Sequence, residues 1–172
     1  LGTRNAVDQG LVRLVKVGTI RRLGRGLYDL PKKSLLLRGD APADIDMVIA
    51  AIARRDGVQI IPDNINAAND LGLTNAVPAK NAYLTNGPSK SLSIQGVDIT
   101  IKQASVKLIP WFDDPARKVV QAIFWLGKDI TATRDVLHDM RRKIPDDMKQ
   151  SLLKGRARLP GWAVNVVDAI AV

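Results

Sequence analysis

The first apolar pattern along the chain has the spacing of a helix. Val7, Leu11 and Leu14 recur at intervals of four and three residues, which places their side chains on one helix face. Thr3 precedes this stripe as a suitable N-cap, and Gly18 follows it where a left-handed residue commonly ends a helix. The pattern predicts a helix between Thr3 and Gly18 whose apolar stripe is buried.

A β-hairpin is predicted directly after this helix. Thr19–Leu23 and Leu27–Leu30 are short stretches with strand-like composition, and the glycine-rich turn G-R-G joins them. Arg21 and Arg22 are adjacent, so they point to opposite faces of the first strand. Pro31 ends the second strand, because proline has no backbone N–H to donate.

Later patterns predict short strands and then a helical C-terminal part. Lys32–Ala43 has no strong periodicity and is predicted as a linker between two domains, residues 1–40 and 41–172. Helices are predicted at 43–55, 64–71, 115–126, 131–143, 145–153 and 162–170, and strands at 58–61, 82–85, 91–94 and 98–103. The expected class is α+β: a mixed α/β region with a small antiparallel sheet, followed by C-terminal helices.

Charge is the first feature of composition that changes this picture. The 172 residues include 26 Lys or Arg and 17 acidic residues, which gives a formal net charge of +9. Residues 1–40 hold nine of the basic and three of the acidic residues, whereas residues 41–108 hold six of each. Residues 109–172 hold eleven basic and eight acidic residues. A partner with dense negative charge is therefore expected at the opening stretch.

The sequence contains no residue pattern typical of a catalytic or metal-binding site. The chain has no cysteine, which excludes disulfides, thiol catalysis and cysteine-bound zinc. His138 has no second ligand at metal spacing, and the pairs Asp113-Asp114 and Asp146-Asp147 have the composition of turns and N-caps. No Ser/His/Asp order or phosphate loop is present. We expect no enzymatic activity, no cofactor and no metal site.

Membrane association is not expected either. The longest apolar runs are far too short to span a bilayer. No secretory signal peptide is visible at the start of the chain, so the cytoplasm is the expected compartment.

The N-terminal helix and hairpin together offer two surfaces for a DNA duplex. Asn and Gln side chains pair with adenine and Arg with guanine in the major groove, while hairpin arginines contact phosphates or a narrow minor groove. Alternatively, Arg4 and Asp8 form an ordinary ion pair four residues apart, and the hairpin arginines lie in water. The concentration of charge favours DNA. The predicted DNA-contacting residues are Thr3, Arg4, Asn5, Gln9, Arg13, Arg21, Arg22 and Arg25.

A helix followed at once by a basic hairpin is the order of a winged helix–turn–helix domain. The run V-D-Q-G-L-V-R-L-V-K-V-G-T-I-R-R-L-G-R-G-L-Y-D-L-P resembles the winged domain of AbiEi-type antitoxins, the transcriptional regulators of type IV toxin–antitoxin systems. Two later blocks, A-A-N-D-L-G-L-T-N-A-V-P and Y-L-T-N-G-P-S-K, resemble further signatures of that family in the expected order. The resemblance covers about residues 2–108, and the C-terminal helices match only loosely.

This resemblance implies a DNA-binding autorepressor that recognises inverted repeats in the promoter of its own operon. It also implies an antitoxin, active in phage defence, that counters a nucleotidyltransferase-like toxin without forming a stable complex. Further helices precede the recognition helix in that family, so we expect natural sequence upstream of this partial winged domain. We expect promoter binding in the N-terminal domain and antitoxin activity in residues 44–172. The alternatives are a module that binds an acidic protein, and an RNA-binding protein that masks the target of the toxin.

Three further groups of residues carry open interpretations. The C-terminal basic residues form a solvated face, a second nucleic-acid contact, or a patch that recognises RNA or a toxin; they are Arg141, Arg142, Lys143, Lys154, Arg156 and Arg158. The aromatic residues predicted to form the C-terminal core are Trp111, Phe112, Phe124, Trp125 and Trp162, and the alternative for Trp111 and Phe112 is an exposed ridge. Asn69 is a candidate buried residue that fixes its helix against the sheet.

Overall fold

The computed structural model describes residues 3–34, 36, 38–77 and 81–171, and it confirms the predicted α+β class. The helices are α1 (Arg4–Lys16), α2 (Ile45–Asp56), α3 (Asn64–Asp70), α4 (Arg117–Thr131), α5 (Arg134–Lys143), α6 (Asp146–Gly155) and α7 (Gly161–Ala171). The strands are β1 (Arg21–Gly24), β2 (Leu27–Asp29), β3 (Lys33–Ser34), β4 (Gly39–Asp40), β5 (Ile60–Pro62), β6 (Ala82–Thr85), β7 (Lys90–Ile94) and β8 (Val97–Gln103). Within the described ranges, no helix is long and apolar enough to cross a membrane.

The chain divides into two units. Unit 1 comprises Leu1–Val58 and Leu92–Ile99, and unit 2 comprises Gln59–Ser91 and Thr100–Val172. The break that the sequence places after residue 40 therefore falls inside unit 1. The reason is α2, which packs against β2 and buries three aliphatic side chains of its own.

The ends of α1 follow the prediction, but its burial does not. The Thr3 hydroxyl accepts a hydrogen bond from the backbone N–H of Ala6 at 3.4 Å, and Gly18 is left-handed with φ of 74°. No residue of α1 is buried, and Val7 and Leu14 keep 54% and 41% of their surface exposed. The prediction of a buried stripe is wrong, because none of the described elements covers that face of the helix.

The predicted hairpin is confirmed as the antiparallel pair β1–β2, in which Arg21 lies opposite Asp29. The predicted linker after it contains a second antiparallel pair, β3–β4, so the expectation of an irregular segment is wrong. An ion pair between Lys33 and Asp40, with Nζ and Oδ1 2.6 Å apart, joins these two strands. Local sequence did not reveal the pairing, because each strand is only two residues long.

The four-stranded sheet has the order β5-β6-β8-β7. β5 pairs with β6 antiparallel, but β6 pairs with β8 parallel, so the sheet is mixed and not purely antiparallel as predicted. The tight turn at Gln95 and Gly96, both with positive φ, returns the chain after β7. That return sets β8 beside β6 in the same direction, a placement that strand periodicity alone does not specify.

The core of unit 2 lies among the C-terminal helices. α4 packs against α3, and α7 packs against α5 and α6. Trp111 and Phe112 are buried within this core, as predicted, and the alternative of an exposed ridge is wrong. Phe124 and Trp162 pack against the core partly buried, whereas Trp125 keeps 37% of its surface exposed, so the prediction that it is a core residue is wrong. Gly155 lies directly against the Trp111 ring, where a Cβ atom would collide with the ring carbons.

Candidate nucleic-acid interface

The polar side of α1 brings together three of the predicted DNA-contacting residues. Asn5, Gln9 and Arg13 follow one another at intervals of four residues, so their side chains lie along one side of the helix. All three side chains are exposed. We call Asn5, Gln9 and Arg13 the α1 polar face.

The side chains of this face make no hydrogen bond or ion pair within the described part of the chain. Arg4, Asn5, Gln9 and Arg13 have no side-chain hydrogen bond or ion pair to any described residue. The alternative ion pair between Arg4 and Asp8 is likewise not formed there. The free donors and acceptors of the α1 polar face are therefore available to a ligand in solution.

Arg21 differs from Arg22 and Arg25 because it pairs with a carboxylate of the opposite strand. Its guanidinium donates to both carboxylate oxygens of Asp29, with Nε–Oδ1 and Nη2–Oδ2 distances of 3.1 and 2.5 Å. The third donor, Nη1, lies 3.1 Å from the carbonyl oxygen of Ala41. The hydrogen bond to Asp29 raises the pKa of Arg21 above its ordinary value. Arg21 thus braces the hairpin, and the sequence signal that could have revealed this role is the carboxylate of Asp29 on the second predicted strand.

Arg22 and Arg25 are the exposed arginines of the hairpin, and we call them the hairpin arginines. Arg22 donates from Nε only to the nearby carbonyl oxygen of Gly24, at 3.3 Å. The side chain of Arg25 has no partner among the described residues, and its carbonyl oxygen accepts a hydrogen bond from Arg55 Nη1 at 2.8 Å. Arg55, which sequence reasoning missed, therefore holds the turn of the hairpin to the end of α2.

The C-terminal basic residues are, by contrast, largely occupied by intramolecular contacts. Asp139 accepts hydrogen bonds from two of them, Arg142 and Lys143, and the hydrogen bond from Lys143 lowers the pKa of Asp139. Further along, Arg156 pairs with Asp168, and the Arg158 guanidinium lies 5.7 Å from the centre of the Trp111 ring. Arg141 donates to the carbonyl oxygen of Ala169, whereas Lys154 has no described partner. These contacts occupy five of the six C-terminal basic residues and stabilise the part of unit 2 that carries them.

The polar residues of unit 2 that could have formed a site also have structural roles. Asn69 donates to the carbonyl oxygen of Ala76 at 2.8 Å, so it closes the loop after α3 and does not fix the helix to the sheet. Asp114 caps the segment before α4 and accepts a hydrogen bond from the Ser151 hydroxyl at 2.6 Å. His138 is exposed. Among the described residues, no group of three or more His, Cys, Asp or Glu could hold a metal ion.

Comparison with known proteins finds one matching protein family. A profile described as "Family of unknown function (DUF6088)" matches residues 1–152. The chain belongs to this family. The match runs from α1 into α6 and includes both the α1 polar face and the hairpin arginines. No curated protein and no solved structure matches the chain significantly.

Proposed function

We propose that this protein binds double-stranded DNA through the α1 polar face and the hairpin arginines. The observation that carries the proposal is the contrast between two groups of cations, those of α1 with the hairpin turn and those of the C-terminal helices. The cations of α1 and of the hairpin turn have no partner among the described residues, whereas most cations of the C-terminal helices bond to carboxylates or carbonyl groups. Unpaired cations attract phosphates most strongly, because no intramolecular ion pair has to be broken first.

The dimensions of α1 support the same proposal. Its 13 residues make a rod about 20 Å long, which is suited to lie in the major groove of DNA. Asn5 and Gln9 offer the amide groups that pair with adenine, and Arg13 offers a donor pair for guanine or phosphate. The free N–H groups at the start of the helix, beside Thr3 and Arg4, are suited to a phosphate.

We further propose that DNA binding serves autorepression of an operon that encodes a nucleotidyltransferase-like toxin, and that the protein acts as its antitoxin in the cytoplasm. This part rests on the resemblance to AbiEi-type antitoxins. The predicted DNA target is an inverted repeat in the promoter of that operon. The toxin is expected to be countered without a stable complex, and no enzymatic step is required of this chain.

Fluorescence anisotropy with duplexes of equal length, one from the promoter of the operon and one random, tests the DNA proposal. The variant Arg22→Ala/Arg25→Ala should weaken binding to both duplexes and lower the slope of log affinity against log salt by about 2. The matched control is Arg134→Ala/Lys154→Ala, which removes two exposed cations of unit 2 whose side chains have no partner among the described residues. Equal affinity and salt dependence in the two variants would refute a role of the hairpin arginines.

A further inference from the structure

A cavity of about 350 Å³ lies within unit 1, lined by α2, the β1–β2 hairpin and the segment that joins them. Leu23, Leu27 and Leu30 line it from the hairpin side, and Met47 and Val48 line it from α2. Its size falls within the range of about 300–1,000 Å³ that is usual for small-molecule sites.

The contribution of α2 to this cavity follows from the helical repeat. Asp44, Met47, Val48, Ala51 and Arg54 all line the cavity, and their spacing of three, one, three and three residues places them on one side of the helix. The cavity wall therefore extends from the first turn of α2 to its last. Met47 keeps 63% of its surface exposed, so part of this apolar wall is open to a ligand.

The charged residues around the cavity leave an excess of positive charge. Arg21 and Asp29 neutralise each other through their two hydrogen bonds. Asp44 is the N-cap of α2 and accepts from two backbone N–H groups, at 3.0 and 3.3 Å, which offset its negative charge. Lys32 and Arg54 also line the cavity, and neither side chain has a partner among the described residues.

We infer that this cavity binds a small amphipathic organic anion. The apolar part of the ligand contacts the leucine and methionine side chains, and its carboxylate or sulfonate bonds to Arg54 or Lys32. Unpaired cations beside an apolar wall complement an anionic head joined to an apolar body, and they disfavour an amine of the same length.

This site goes beyond the proposed function and does not depend on it, because ligand binding is measured without DNA. The cavity is nevertheless built from the DNA-binding hairpin. Arg55 already joins the hairpin turn to α2, and we expect a ligand that contacts both walls of the cavity to add a second connection between them.

Isothermal titration of the full chain with octanoate, octylammonium and octanol tests the inference. We expect octanoate to bind with one-to-one stoichiometry and about tenfold or more tighter than the other two, since a charge-assisted hydrogen bond forms only with the anion. Lys32→Gln/Arg54→Gln should abolish the preference for octanoate, and Arg134→Gln/Lys154→Gln is the control of equal charge change. Ala51→Phe, which fills the cavity, should abolish binding of octanoate.

Two results would overturn the inference. One is octanoate binding no tighter than octanol and octylammonium to the parent chain, or a preference for octanoate that survives in Lys32→Gln/Arg54→Gln. The other is concentration-dependent dimerisation in sedimentation experiments that Ala51→Phe abolishes, which would assign the cavity to a second copy of the chain. The glutamine variants change only exposed side chains, so the test remains decisive if Ala51→Phe does not fold.

Discussion

Replacement of Arg21 by alanine should lower the local stability of the β1–β2 hairpin, and this should be its main effect. The substitution removes three hydrogen bonds, two to Asp29 and one to the carbonyl oxygen of Ala41. It also leaves the Asp29 carboxylate without its cation in a site where both side chains keep only 23% of their surface exposed. An exposed ion pair contributes about 0.2–1 kcal/mol, and a hydrogen bond to a charged group contributes about 1.5–3 kcal/mol. With partial solvent screening, we expect a loss of about 1–2 kcal/mol in the local stability of the hairpin.

Hydrogen exchange measured by mass spectrometry is the suitable assay, because all three tryptophans lie in unit 2 and report poorly on the hairpin. A loss of about 1–2 kcal/mol should speed exchange of the β1 and β2 amides by about 5–30-fold. Arg25→Ala is the matched control, since its side chain has no described partner and its loss should leave exchange unchanged.

DNA affinity, measured on the same proteins, completes the comparison. Arg25→Ala should lower DNA affinity without changing amide exchange in the hairpin. Arg21→Ala should speed amide exchange in the hairpin and lower DNA affinity less than Arg25→Ala does. If Arg21→Ala leaves exchange as in the parent chain and lowers affinity as much as Arg25→Ala, Arg21 is a direct DNA contact and the bracing role is refuted. A coupling energy near zero between Arg21→Ala and Asp29→Asn would refute it independently.

Three further predictions concern other parts of the chain. Asn5→Ala or Gln9→Ala should cost about 1–3 kcal/mol of binding free energy on the promoter duplex and much less on random DNA, if these amides read bases. Gly155→Ala should lower the free energy of unfolding by about 1–3 kcal/mol, measured by tryptophan fluorescence in urea, because a buried ring occupies the space of the new methyl group. The pKa of Asp139 is lowered by Lys143, so its stabilising effect should disappear as pH falls below about 4, and Asp139→Asn should flatten the acid limb of the stability profile.

Each of these predictions has a control within the chain. Gly161→Ala should have little effect, because nothing lies within 4 Å of its Cβ position, and an equal loss at both glycines would contradict the packing argument. Equal losses of affinity on promoter and random DNA would make Asn5 and Gln9 positioning contacts. An unchanged acid profile in Asp139→Asn would show that its ion pair does not persist in solution.

Most of the helices and strands, and several helix ends, could be predicted from the sequence because they depend on neighbouring residues. Thr3 as the N-cap of α1 and Gly18 as the left-handed residue after it both behave as predicted, with φ of 74° for Gly18. Their effects act within about one turn of the chain, so neighbouring residues suffice to predict them. The position of the polar, basic side of α1 was predictable for the same reason, because helical periodicity is a local property.

Only the tertiary structure decided which of these surfaces are buried and which charged side chains form ion pairs. The apolar stripe of α1 has the spacing of a buried face, yet its burial depends on whether another element lies over it. Arg21 and Arg25 look alike in sequence, and only the pairing of β1 with β2 gives Arg21 a carboxylate partner. Similarly, the Arg158 guanidinium lies near the Trp111 ring because segments far apart in sequence pack together. The parallel pairing of β6 with β8 likewise depends on the path of the chain between them. Contacts between residues far apart in sequence depend on the packing of whole elements, which periodicity and composition do not encode.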